Sequence, residues 1–428
     1  MSDATLTGVQ GKIVTAVLDN TTNAKLAQNL VFSANVGIID YETNNNYPNF
    51  VAPYATNAND TAPGGTSALF VNNFSGSFFV PSAGTELIFD TSTKAHTIHG
   101  GAANSQNVII GSNSATLYTN TGVGTVIAGG GNNLISSSGG HYILEGNGND
   151  TVYSQGNDSI TLGNGKDVVS VTGGNDTINA GIGNDKVYLL AGNNLVTLDS
   201  GNDLVSVTGG NDTINAGIGN DSVYLLAGNN KVSLGGGKDS VSITGNGSDT
   251  VDLTGGTAIV HGDKGKLLFV NTGGGLATVL GGTTGGSVTV FGGTSGGQYT
   301  GGSGGNNSLV GGNAGATTLI GGGSGDTLVA TAGGGTTLQA GSGSETLVGD
   351  NGANDTFRFI HNTVGNVLVS DFLTGDKVNL AGYGYTTKAQ ALANKVVSGG
   401  STVLTLLDGT KITFSGIASL TASDIKLS

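Results

Sequence analysis

Between residues 158 and 243 the apolar positions fall on a nine-residue grid. Ile160, Val169, Ile178, Val187, Val196, Val205, Ile214, Val223, Val232 and Val241 follow one another at that spacing. Two residues after each comes a second apolar side chain, as in Val171, Leu189, Val207, Leu225 and Ile243. Side chains alternate along a strand, so the two members of each pair face one side. The repeating unit is therefore a short strand with one face to bury. Nine residues cannot bury it alone, but a coiled chain stacks successive units around a shared interior. Two units make an 18-residue turn.

A longer repeat overlies the first. Residues 172–207 and 208–243 match at 28 of 36 positions, a duplicated two-turn block. With slips of one or two residues the grid runs from Ile98 to Phe357, and from Leu309 onward its steps alternate ten and nine. The pattern predicts an all-β fold, a parallel β-roll or β-solenoid of roughly nine-residue half-turns over residues 96–357. All four prolines lie between Pro48 and Pro81. Because proline removes a ladder donor, long proline-free tracts suit continuous sheet. Residues 1–95 are thus expected to be a separate β-rich region for assembly or binding, with aromatics at Tyr41, Tyr47, Tyr54, Phe70, Phe74, Phe78 and Phe79. Residues 358–428 are expected to form a C-terminal cap and export region.

Composition narrows the setting. Glycine supplies 79 of 428 residues, and the net charge is −14. That charge argues against nucleic acid and anionic membrane surfaces as partners, and toward divalent cations or basic groups. Cysteine is absent, which excludes disulfides and thiolate metal sites. No apolar run is long enough to span a membrane. No basic segment followed by an apolar stretch marks an N-terminal signal peptide.

The turns carry the candidate chemistry. A glycine stands two residues before a recurring Asp or Asn, and alternate units fall on the same edge of the coil. One edge carries Asp167, Asp185, Asp203, Asp221 and Asp239, with Gly165, Gly183, Gly201, Gly219 and Gly237 before them. The other carries Asp176, Asn194, Asp212 and Asn230. Carboxylates stacked about 5 Å apart repel by about 1 kcal/mol per neighbour in water, and by several at a lower effective dielectric. A row of cations removes that cost, whereas Asn at alternate levels already halves it. These turns resemble the Gly-x-Gly-x-Asp nonapeptides of RTX proteins. The resemblance implies a β-roll that binds Ca²⁺, here along the all-Asp edge. The first consensus glycine is replaced by Leu or Ala.

The last 75 residues contain NDTFRF, VLVSDFLTGDKVNLAGYGY, LTLLDGTKITFSGI and LTASDIKL. They resemble the C-terminal region of type I-secreted RTX proteins, which implies an uncleaved export signal and an extracellular or cell-surface location on a bacterium. Leu404, Leu406, Ile412 and Phe414 alternate around Asp408-Gly409, the pattern of a hairpin. Residues 388–397 read as a short helix.

No catalytic constellation accompanies the repeats. His96 and His99 point to opposite faces of a strand, and H-E-x-x-H is absent. The Gly-x-Ser-x-Gly matches at Ser295 and Ser303 lie in a glycine tract, outside any strand-to-helix turn. The expected function is that of a secreted, self-assembling structural protein: a surface layer, matrix fibre or adhesin, stabilised by calcium and able to contact cell-surface glycan. The alternative is a monomeric β-helix that binds or modifies exopolysaccharide.

Overall fold

The computed structural model describes residues 95–100, 114–119, 121–331, 335–352, 354–362 and 365–428. It also describes the strands Ser2–Thr7, Ile13–Leu18, Asp60–Thr61, Ala68–Val71, Ser77–Phe79, Leu87–Asp90 and Asn107–Ile110. Among the N-terminal aromatics, Tyr41, Tyr47, Tyr54 and Phe74 lie outside the described residues. Contacts divide the chain into two compact units, residues 1–217 and 218–428.

In the first unit Ser2–Thr7 and Ile13–Leu18 pair antiparallel. Among the described residues, parallel coiling is already present at Asp60–Thr61, inside the region expected to stand apart, because that strand pairs with Ser77–Phe79 and thence with His96–His99. Two parallel ladders result. One runs through Ala115–Tyr118, Leu134–Ser137, Thr151–Ser154, Val168–Val171, Lys186–Leu189 and Leu204–Val207. The other runs from Ala68–Val71 through Thr125–Ala128 and Tyr142–Leu144 to Thr213–Asn215. The predicted β-branched anchors meet across rungs, Val169 beside Val187 and Ile160 beside Ile178. All four are buried, as are Val171, Leu189, Leu162 and Ala180 after them. His96 points in and His99 out, as their spacing requires.

The second unit has the same two-ladder construction with longer coils. Val232 pairs with Val251, Phe269 with Val290 and Tyr299 with Leu319. The coil around Phe269 takes up two extra residues, so Val288 pairs with Leu267 and not with Phe269. Phe269 and Tyr299 are fully buried with ring centres 6.2 Å apart, large side chains filling the wider coil.

The C-terminal segment extends both ladders. Lys411–Phe414 pairs parallel to Asn366–Ser370, and Ile425–Leu427 parallel to Lys377–Ala381. The hairpin predicted at Asp408-Gly409 forms, with Leu404 opposite Ile412 and Thr402 opposite Phe414. The helix is shorter than expected. It spans only Lys388–Ala391, capped by Thr387 and Gln390. Lys395–Ser398 is instead a strand antiparallel to Ser401–Thr405. Val396 and Val397 favour the pleat, and Gly399 and Gly400 at φ +57° and +77° make the turn. Phe372 packs between Phe357 and Phe414 at 5.6 and 5.3 Å. No helix among the described residues is long and apolar enough to cross a membrane.

Candidate metal-binding turns

Each strand ends in a tight turn because the backbones of successive coils nearly touch there. A Cβ at Gly183 would lie 1.6 Å from the Gly165 carbonyl oxygen, and one at Gly165 equally close to that of Gly148. Glycine two residues before each Asp is thus a stacking requirement before it is a ligand-binding one.

The Asp side chains turn inward from these turns and are buried. Oδ1 of each binds the coil before it. In the first unit Asp150 N–H donates to Asp167 Oδ1 at 2.7 Å, Asp167 N–H to Asp185 Oδ1 at 2.8 Å, and Asp185 N–H to Asp203 Oδ1 at 2.8 Å. In the second unit Asp221 N–H donates to Asp239 Oδ1 at 3.0 Å. The Asn or Lys just before each Asp forms a counter-running outer ladder. Asn202 N–H donates to Asn184 Oδ1 and Lys166 N–H to Asn149 Oδ1, both at 2.8 Å. The ten predicted site residues fall in these turns as the period requires.

Two further residues belong with them. Gly148 and Asp150 close a Gly-x-Gly-x-Asp turn, and Asp150 Oδ1 accepts from Asn133 N–H at 2.7 Å. The GNGND sequence was visible, but the step from Asp150 to Asp158 is eight, which takes it off the nine-residue grid.

The second carboxylate oxygen distinguishes the central turns. Oδ2 of Asp167, Asp185 and Asp239 is buried with no hydrogen-bond donor. An acceptor left so costs about 1–3 kcal/mol, more when charged. Burial accordingly pushes the Asp167 carboxyl up to about 7, opposed by the Asp150 N–H and reinforced by the charges of Asp150 and Asp185. Burial likewise raises Asp185 and Asp239. Later carboxylates are bound at both oxygens. Asp326 accepts from Asn307 at Oδ1 and Gly322 N–H at Oδ2. Asp355 accepts from Thr336 and Asp350 N–H, and Asp376 from Asp355 and Leu373 N–H.

The alternate edge is mixed. Asn194 donates its Nδ2–H to Asp212 Oδ1 at 2.9 Å, and Asn230 does the same to Asp249. Asp176 Oδ1 accepts from Asp158 N–H and Ser154 Oγ–H, while its Oδ2 has no donor. Ser137, His141 and Asp158 start this edge, with Ser137 Oγ 3.0 Å from His141 Nδ1 and 2.9 Å from Asp158 Oδ1. All three are at most 2 % exposed, so this Ser-His-Asp group is closed to solvent.

Among the described residues no three Asp, Glu, His or Cys side chains converge as a metal cluster. A hard cation here would draw on one carboxylate oxygen and turn carbonyls, a donor set that suits Ca²⁺. The bare inward oxygens fit that requirement. Residues 146–178, 170–205 and 206–241 match the RTX calcium-binding nonapeptide repeat, in four copies. Residues 146–241 thus carry RTX-type repeats. RTX repeats bind Ca²⁺, and their match begins at the GNGND turn and ends just after Asp239. The RTX match thus contains the bare carboxylate oxygens and leaves out Asp326, Asp355 and Asp376. No curated protein matches the chain.

Proposed function

We propose that this chain is a secreted bacterial structural protein whose RTX coil is stabilised by calcium at Asp167, Asp185, Asp203, Asp221 and Asp239. The observation that carries the reading is the buried, donor-free Oδ2 of Asp167, Asp185 and Asp239 within turns of the RTX type. Calcium there would remove the like-charge cost and supply the missing partner of each oxygen. Asp150 belongs to the same row. Export by the type I route rests on the C-terminal sequence resemblance, and the hairpin and aromatic cap give that segment a structural role as well. Self-assembly into a layer, fibre or adhesin is supported by outward strand positions of the first unit that carry no acid from Thr97 to Leu204.

Thermal unfolding of the purified full chain, followed by circular dichroism in millimolar calcium and in chelator, tests the reading. Calcium is expected to raise the melting temperature markedly, and calorimetric titration to show several sites. Identical melts in both conditions would overturn it.

A further inference from the structure

The outer face of one ladder in the first unit carries an alternation that calcium binding does not use. Strand register places Tyr118, Ser136, Tyr153, Ser170, Tyr188 and Ser206 in one outward column, one residue per coil. Tyr118 is 42 % and Tyr153 48 % exposed. The tyrosines follow the two-turn repeat, so one stands on every second rung. Side chains on a sheet stand roughly perpendicular to it. The column is therefore a comb whose aromatic teeth are roughly 10 Å apart, twice the strand spacing, with a serine at the floor of each gap. A gap of that width takes one further aromatic ring. The same column shows a rung filled in this way, where His99 stacks on Tyr118 at 5.0 Å with planes 8° apart.

We propose that this comb docks a second copy of itself. Alternating large and small side chains is what lets two packed layers interdigitate. A copy turned about a two-fold axis perpendicular to the column, and offset by one rung, brings its tyrosines over the serine gaps. That contact is isologous and closes as a dimer. Charge does not oppose it. The adjoining outward column, Thr97, Thr116, Leu134, Thr151, Val168, Lys186 and Leu204, contains no acid. Two chains of net charge −14 thus meet on faces from which the carboxylates are absent. The two columns over the six rungs from Tyr118 to Ser206 cover roughly 350 Å² per copy, less than half the ~800 Å² of a stable pair. The pairing is accordingly concentration-dependent. It deepens the self-assembly part of the reading above and is independent of its calcium part.

Sedimentation velocity of the full chain in saturating calcium, from micromolar to sub-millimolar concentration, tests the proposal. Three proteins are compared: the natural chain, Tyr153→Ser/Tyr188→Ser, and Ser136→Tyr/Ser170→Tyr, which fills the gaps. The natural chain is expected to associate with rising concentration. Both variants should keep its circular dichroism and associate at least about tenfold more weakly. If a double variant loses strand signal, the single outward change Ser170→Lys gives the same readout. Unchanged association in either double variant overturns the comb while leaving self-assembly through another surface. Stronger association in the gap-filled variant does the same, because general aromatic stickiness would then be at work. A natural chain that stays monomeric overturns both. Retention on a neutral β-glucan column that Tyr153→Ser/Tyr188→Ser loses, with no change in oligomeric state, also overturns the comb and assigns the face to glycan.

Discussion

The two oxygens of a turn aspartate have different duties, and a single substitution separates them. Oδ1 of Asp185 holds the Asp167 N–H, while Oδ2 is buried without a donor. Asp185→Asn keeps the first acceptor and replaces the second oxygen by a neutral amide. In chelator at neutral pH the variant should be as stable as the natural chain or more so, because one desolvated charge in a like-charged row is gone. In calcium it should be less stable, by on the order of 1–3 kcal/mol. Paired melts in chelator and in calcium check the change of sign; a loss of equal size in both would mean the carboxylate is only a turn acceptor. Gly183→Ala addresses the stacking requirement instead. Its Cβ would lie 1.6 Å from a backbone oxygen that has no room to yield. Destabilisation of at least about 2 kcal/mol is expected, and urea titration should find it with calcium present or absent.

At the scale of strands and turns, the interior was legible and the slips were not. The pairs Val169–Val187 and Ile160–Ile178 follow from the nine-residue period, which stacks like positions, and a one-residue slip would turn the apolar side chains outward. Asp150 escaped that reasoning because a one-residue deletion costs a solenoid only a tighter turn. The coil at Phe269 escaped it for the opposite reason: extra glycines lengthen a turn without disturbing the strands. The parallel pairing of Asp60–Thr61 with Ser77–Phe79 was hidden because the sequence there does not keep the nine-residue period. The Tyr and Ser column needed two-turn periodicity on outward positions, which hydrophobic patterning ignores. At the C-terminus, Val396 and Val397 decided for strand over helix once Gly399 and Gly400 supplied the turn. The cap then offers its own test. Phe414 is fully buried against Phe372 and pairs in both the hairpin and the parallel ladder. Phe414→Ala should cost about 3–5 kcal/mol. Hydrogen exchange should accelerate first in Lys395–Phe414 and Asn366–Ser370, with the central RTX turns still protected in calcium.

For the molecule as a whole, buried carboxylates tie stability to pH and calcium together. Burial raises Asp167 from 3.8 to about 7 and Asp176 to about 6. A folded-state value above the unfolded one means the fold prefers the protonated acid. The associated stability is fully present below the unfolded value near 3.8 and is lost as pH rises through 6 and 7. In chelator the chain should therefore be more stable at pH 5 than at pH 8. Calcium needs the ionised form, so it should reverse the order by stabilising the protein most where the metal-free coil is weakest. One group should resist the reversal. Burial raises Glu345 to about 8, with the Asp326 charge adding, and both its oxygens already accept from Gly341 N–H. It lies outside the RTX match, so its share of the alkaline loss should persist in calcium. Melting curves from pH 4 to 9, with and without calcium, would then show a large calcium-dependent gain above pH 6 and a residual decline toward pH 8 that calcium leaves in place. Glu345→Gln should flatten that residual decline alone. A decline that calcium abolishes completely would instead place Glu345 within reach of the metal, and extend the calcium-dependent coil beyond the nonapeptide turns.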